Sequence, residues 1–75
     1  MKIHELITFT ANHAKVDCVD IEALYEGNYP YFSGSVIKLL ETQYYYLDLP
    51  VETASYDKTN ARLDIFYNPE YLGEY

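Results

Sequence analysis

Three residues in the N-terminal quarter, His4, His13 and Cys18, have the donor chemistry for zinc, because imidazole and thiolate are soft enough ligands for it. Their spacing argues against such a site. No Cys-x-x-Cys or His-x-x-x-His pair accompanies them, so neither a metal nor any other cofactor is expected. Cys18 reads as a small buried apolar residue, and His4 as a polar residue on the exposed side of a helix. Nucleophilic catalysis would need a Ser or Cys converging with a His and an orienting carboxylate. The residue types are present, but there is no Gly-x-Ser-x-Gly elbow and no phosphate-cradling loop among only three glycines. Catalytic residues are therefore not expected, and the chain is read as a non-enzyme.

Carboxylate and phenol are the chemistry the chain carries in quantity: twelve acids against five basic residues, a formal charge of −7, and ten tyrosines in 75 residues. On a strand, residues two apart emerge on the same face about 6.6 Å apart, so Asp20 and Glu22, with Glu26 beyond them, form a short line of like charge. Such a line has two readings. It is an ordinary solvated face, or it imitates a phosphate backbone and occupies a Lys/Arg groove meant for nucleic acid. Ten tyrosines exceed what so thin a core can hold, and tyrosine suits interfaces because it joins a large contact area to a polar tip. Tyr67 and one of residues 44–46 are assigned to the core. Tyr25, Tyr29 and Tyr31, with Glu70, Tyr71, Glu74 and Tyr75 of the tail, join the acids as the expected partner-binding set. Tyrosine beside a carboxylate is what would meet arginine, through cation–π contact and a charge-assisted hydrogen bond. Alternatively, the rings shield strand edges and pack locally.

The same charge excludes other functions. A chain this acidic repels phosphate backbones and anionic headgroups, so neither direct nucleic-acid nor membrane binding is expected, and no apolar run approaches the about 20 residues a span needs. One unpaired cysteine and no signal peptide fit a reducing, cytoplasmic setting. Domains of this length bury only about 60% of their unfolded surface, which leaves a homodimer or larger assembly open.

The elements that must position these residues follow from hydrophobic period. Ile3, Leu6 and Ile7 share one side of a short helix that should fade by Asn12, where a left-handed residue would end it. From Lys15 the period shortens to two, with a slip between Cys18 and Val19 that predicts a bulge or a strand end; "DIEALYEG" also fits a short helix capped by Asp20. Tyr29, Tyr31 and Phe32 form a β-rich group whose Pro30 confines it to an edge strand or a strand start. Ser35 caps a short amphipathic helix with Val36, Ile37, Leu39 and Leu40 inward. Val51, Thr53 and Ser55 then alternate against Glu52, Ala54 and Tyr56, and Leu63, Ile65 and Tyr67 against Arg62, Asp64 and Phe66, with a polar turn at residues 57–60 between them. The expected fold is α+β: an N-terminal helix, a mostly antiparallel four-stranded sheet with a helix between strands 2 and 3, and a C-terminal hairpin. Residues 1–68 form the single domain and residues 69–75 an acidic aromatic tail.

The order of "MKIHELI", "KVDCVD", "YFSGSVIKLLE" and "RLDIFY" over residues 1–67 resembles the small α+β proteins encoded by phages and prophages of low-GC Gram-positive bacteria. The chain departs from that pattern in the aromatic stretch from Glu22 to Phe32 and in the "EYLGEY" tail. The resemblance implies a viral accessory protein, a class that includes anti-CRISPR and anti-restriction inhibitors, and it carries no catalytic residues. The expected function is inhibition of a basic, nucleic-acid-handling host protein through the acidic, tyrosine-rich surface. The alternative is a homo-oligomeric assembly protein whose aromatic surface pairs with itself.

Overall fold

A computed structural model describes residues 1–42 and 44–72, with side chains for all of these but 44, 45, 71 and 72. The elements run α1 (Ile3–Ala11), β1 (Cys18–Ala23), β2 (Phe32–Ser35), α2 (Val36–Thr42), a 3₁₀ turn (Tyr44–Asp48), β3 (Val51–Asp57), β4 (Arg62–Tyr67) and a second 3₁₀ turn (Pro69–Leu72). The strands make one sheet in the order β2-β1-β4-β3. The two outer pairings are antiparallel, as the sequence predicts, but the central pair β1–β4 is parallel. Parallel strands need a long crossover, which α2, β3 and the segments between them supply. No helix among the described residues is long and apolar enough to cross a membrane.

The two faces of the sheet differ in chemistry because side chains alternate along each strand. Val19 and Ile21 on β1, Phe32 on β2 and Leu63, Ile65 and Tyr67 on β4 point to one side, where they cluster with Ile3 and Ile7 of α1, Leu39 of α2, Tyr46 and Leu49. Cys18, Asp20 and Glu22 share the opposite, uncovered face with Arg62, Asp64 and Phe66. The slip between Cys18 and Val19 is therefore a change of face within a regular strand and no bulge, and residues 20–23 are strand rather than helix. Cys18, expected to be buried, is partly exposed on that open face.

α1 buries the residues its period marks and is started by the Lys2 amide donating to Glu5 Oε1 at 2.9 Å. It ends at Asn12 in right-handed conformation (φ −75°), correcting the left-handed break, because the chain continues in a tight turn with His13 and Ala14 both donating to the Thr10 carbonyl. The N-terminus is stitched to the segment before β3: Ile3 donates to Leu49 O and Val51 to Met1 O. Ser35 caps α2 as expected, accepting from the Lys38 amide at 3.1 Å. Yet α2 is only seven residues long and touches the core along one line, so Leu39 is buried while Ile37 and Leu40 stay exposed. Of residues 44–46, Tyr46 is buried, its ring 6.1 Å from that of Tyr67, so both rings assigned to the core are there.

The hairpin β3–β4 forms where its pattern places it, but a register shift between Val51 and Thr53 reverses the phase of β3. After the shift Ala54 and Tyr56 lie beside Ile65 and Leu63, and Thr53 and Ser55 face the open side. A β-bulge leaves no mark in a pattern of small polar residues. The turn is closed by Asp57, whose carboxylate accepts from the amides of Thr59 and Asn60 and from Asn60 Nδ2 at 2.7 Å. Ala61 completes it in left-handed conformation at φ 49°.

Those bonds favour the ionised carboxyl, Asn60 most strongly, and hold the Asp57 pKa below its ordinary value; the Lys2 amide does the same for Glu5. A pKa depressed by folding contributes stability that is complete above the ordinary carboxylate range, about 4, and is lost as pH falls through the lowered value. Urea melts from about pH 6 down to about pH 3 should show declining stability, with a shallower decline in Asp57→Asn. Parallel curves for the two proteins would remove Asp57 from the acid limb.

Candidate partner-binding surface

A parallel central pair gathers the segments that follow β1 and β4 at one edge of the sheet and those that precede them at the other. Residues 24–31, which connect β1 to β2, therefore leave beside the end of β4. Tyr67 holds both ends of that loop. Its carbonyl accepts from the Leu24 amide at 2.7 Å, and its hydroxyl donates to the Pro30 carbonyl. The ring between these two anchors is fully buried, so the clamp is fixed to the core.

Inside the loop, Gly27 has φ +154°, and a Cβ built there would stand 2.6 Å from Tyr29 Cε2. The phenol ring lies directly over a backbone that only glycine leaves open. The result is a shallow, open depression of about 290 Å³ lined by Glu22, Tyr25, Glu26, Tyr29 and Tyr31, with Ala23 and Gly27 between them. The rings are outside the core, 53% exposed for Tyr25, 43% for Tyr29 and 72% for Tyr31. Neither Glu22 nor Glu26 has a salt-bridge partner among the described residues. Two unneutralised carboxylates among three phenol rings offer a cation both charge and a π face, and a guanidinium uses both at once.

The remaining members of the expected set are placed differently. Asp20 is on the open face of β1, where it accepts from Ser33 Oγ at 2.5 Å and lies 3.7 Å from Arg62 Nε. The sequence does not reveal why: Asp20 stands opposite Asp64 in the parallel register, a like-charge pair that would be repulsive on its own. Arg62 lies between them, its buried Nε 3.2 Å from Asp64 Oδ1 though in no hydrogen bond of good geometry, with Nη2 3.7 Å from Asp57. Asp20 is thus engaged within the fold, and the line of free acid shortens to Glu22 and Glu26. Glu70 is exposed on the turn Pro69–Leu72 directly after β4, which puts it at the same sheet edge as the depression. The side chain of Tyr71, and Glu74 and Tyr75, lie outside the described residues.

Sequence reading missed two further features. Tyr67 was assigned to the core for its ring, and nothing in the text signals that its polar atoms organise a loop 37 residues earlier. Nor does the sequence signal the grouping of His13 with Lys15 and Lys58, which come together only because β1 and β4 run parallel. Among the described residues no three His, Cys, Asp or Glu side chains are grouped to hold a metal ion. Compared with known proteins, the chain matches no family model, no curated protein and no solved structure.

Tyr67→Phe keeps the buried ring and deletes the hydroxyl that holds Pro30. Stability should fall by about 0.5–1.5 kcal/mol, with amide exchange faster in residues 24–31 than elsewhere. Uniform acceleration across the sheet would show that the hydroxyl serves the core and not the loop.

Proposed function

We propose that the chain is a non-enzymatic accessory protein that binds, and thereby inhibits, a basic nucleic-acid-handling protein, with Glu22, Glu26, Tyr25, Tyr29 and Tyr31 as its contact set. The observation that supports this reading is the convergence of those five side chains on one exposed depression, with neither carboxylate in a salt bridge among the described residues. A solvated acidic face needs no aromatic neighbours, and rings that merely protect a strand edge need no free acid among them. Together they are suited to an arginine or lysine of a groove that normally meets phosphate.

The open sheet face contributes less to this mimicry than its acid count suggests, because Arg62 lies among Asp20, Asp57 and Asp64 and offsets one of their three charges. Long-range attraction comes from the formal charge of −7 and specificity from the loop. Inhibition then follows from occupancy, since a site holding the glutamates and phenols has no room for a nucleic-acid backbone. Phage origin remains part of the proposal through the sequence resemblance alone.

Immobilised protein presented with a panel of basic nucleic-acid-binding proteins should capture members in a manner that weakens steeply with salt and is displaced by duplex DNA. Reversing Glu22 and Glu26 to lysine, both on exposed positions, should abolish capture and leave the melting curve intact. Capture unaffected by the reversal would contradict the assignment. Light scattering that instead shows self-association lost in Tyr29→Ala and Tyr31→Ala would favour the homo-oligomeric alternative.

A further inference from the structure

At the opposite edge of the sheet the segments preceding β1 and β4 border a larger, open cavity of about 520 Å³ whose lining side chains are mostly exposed. In a chain with five basic residues and two histidines, Lys15, Lys58 and His13 all line this one space, together with Tyr56, Thr59 and Asn60. Lys58 has no salt-bridge partner among the described residues. We propose that this cavity is a binding site for a small phosphorylated molecule, a phosphomonoester whose anionic group is held by Lys58, Lys15 and His13.

The walls are fixed before any ligand arrives. Tyr56 donates its hydroxyl to the Lys15 carbonyl at 2.5 Å, and the Asp17 amide donates to the Ala61 carbonyl at 2.8 Å, tying the entry of β1 to the β3–β4 hairpin. The hairpin turn is itself held by Asp57 through the amides of Thr59 and Asn60. His13 is fixed twice: its ring lies 4.6 Å from that of Phe9, and its Nδ1 is 2.8 Å from the Phe9 carbonyl. A carbonyl only accepts, so Nδ1 carries a proton, and Nε2 is the ring nitrogen left to donate to an anion when the ring is doubly protonated. The backbone under these groups is pre-formed, so binding has to order only the exposed side chains of Lys15 and Lys58.

Size and charge select the ligand class. A bare phosphate would leave most of about 520 Å³ empty, whereas small organic ligands occupy pockets of this order. The hydroxyls of Tyr56 and Thr59 and the amide of Asn60 offer donors and acceptors to the rest of the molecule. Asp17 also lines the cavity and lies 3.4 Å from Lys15 Nζ, but both side chains are well exposed and such a pair is weak, so an incoming anion can displace it.

The test uses the intact chain labelled with ¹⁵N and titrated with AMP and, separately, with inorganic phosphate, against adenosine and chloride at constant ionic strength. AMP should produce saturable amide shifts centred on residues 13–17 and 58–61. Apparent affinity should fall at least about tenfold in the Lys15→Ala, Lys58→Ala double variant and rise in Asp17→Asn, which frees Lys15. Equal affinity for phosphate and AMP would place recognition in the anion alone, and tighter AMP binding would place the ester in the rest of the cavity; both support the site. No saturable shift, the same shifts with chloride, or unchanged affinity in the double variant would overturn it. The substituted lysines are exposed, and an unchanged spectrum elsewhere checks that the variant folds.

Discussion

Tyr67 is the residue on which the arrangement depends. Its ring is fully buried in a small core, tilted at 56° against that of Tyr46. Its backbone ends β4, which among the described strands is flanked by the two longest ladders, and its two oxygens hold the loop that carries Tyr25, Tyr29 and Tyr31. One side chain thus couples hydrophobic burial, which fixes where β4 stops, to hydrogen bonding, which fixes where the exposed phenols stand. Were the ring less buried, the anchors would be no firmer than the loop they hold.

The parallel pairing of β1 with β4 has a second consequence, because it sorts the molecule's charge. Glu22 and Glu26, which form no salt bridge among the described residues, collect at the edge where the strands end, and Lys15, Lys58 and His13 at the edge where they begin. Between the two, Arg62 lies among three aspartates on the open sheet face and offsets one of their three charges, so the face that connects the poles carries less field than its composition implies. An acidic protein with one cationic cavity is able to engage a basic surface at one end and a small anion at the other without either interaction crossing its own charge.

Much of this was legible in the sequence and some was not. Ile3, Ile7, Leu39, Leu63 and Ile65 declare themselves by period, since a side chain that must be buried recurs at the spacing of its element. Pro30 marked an edge strand or a strand start because it lacks a ladder donor; β2 is at the edge but begins at Phe32, which leaves Tyr29, Pro30 and Tyr31 in the loop before it. The grouping of Glu22 and Glu26 with three tyrosines was legible because they are neighbours in the chain. What the text hid was whatever depends on partners far away in sequence: the parallel register, the bulge after Val51, the pairing of Asp20 with Arg62, and the cavity built from residues 13–17 and 56–61. Ile37 and Leu40 misled for a related reason, because apolar identity states what a residue tolerates and not how far a seven-residue helix can reach.

Titration of a short arginine-rich peptide into ¹⁵N-labelled protein tests directly whether residues 22–31 form a fixed acceptor for cationic side chains. The account predicts saturable shifts confined to that segment and to the end of β4, diminished by salt, with no comparable response to a lysine-free acidic peptide of equal length. Shifts of equal size at exposed carboxylates across the whole surface, such as Glu41 and Glu52, would mean that the peptide sees only net charge, and the account would be wrong.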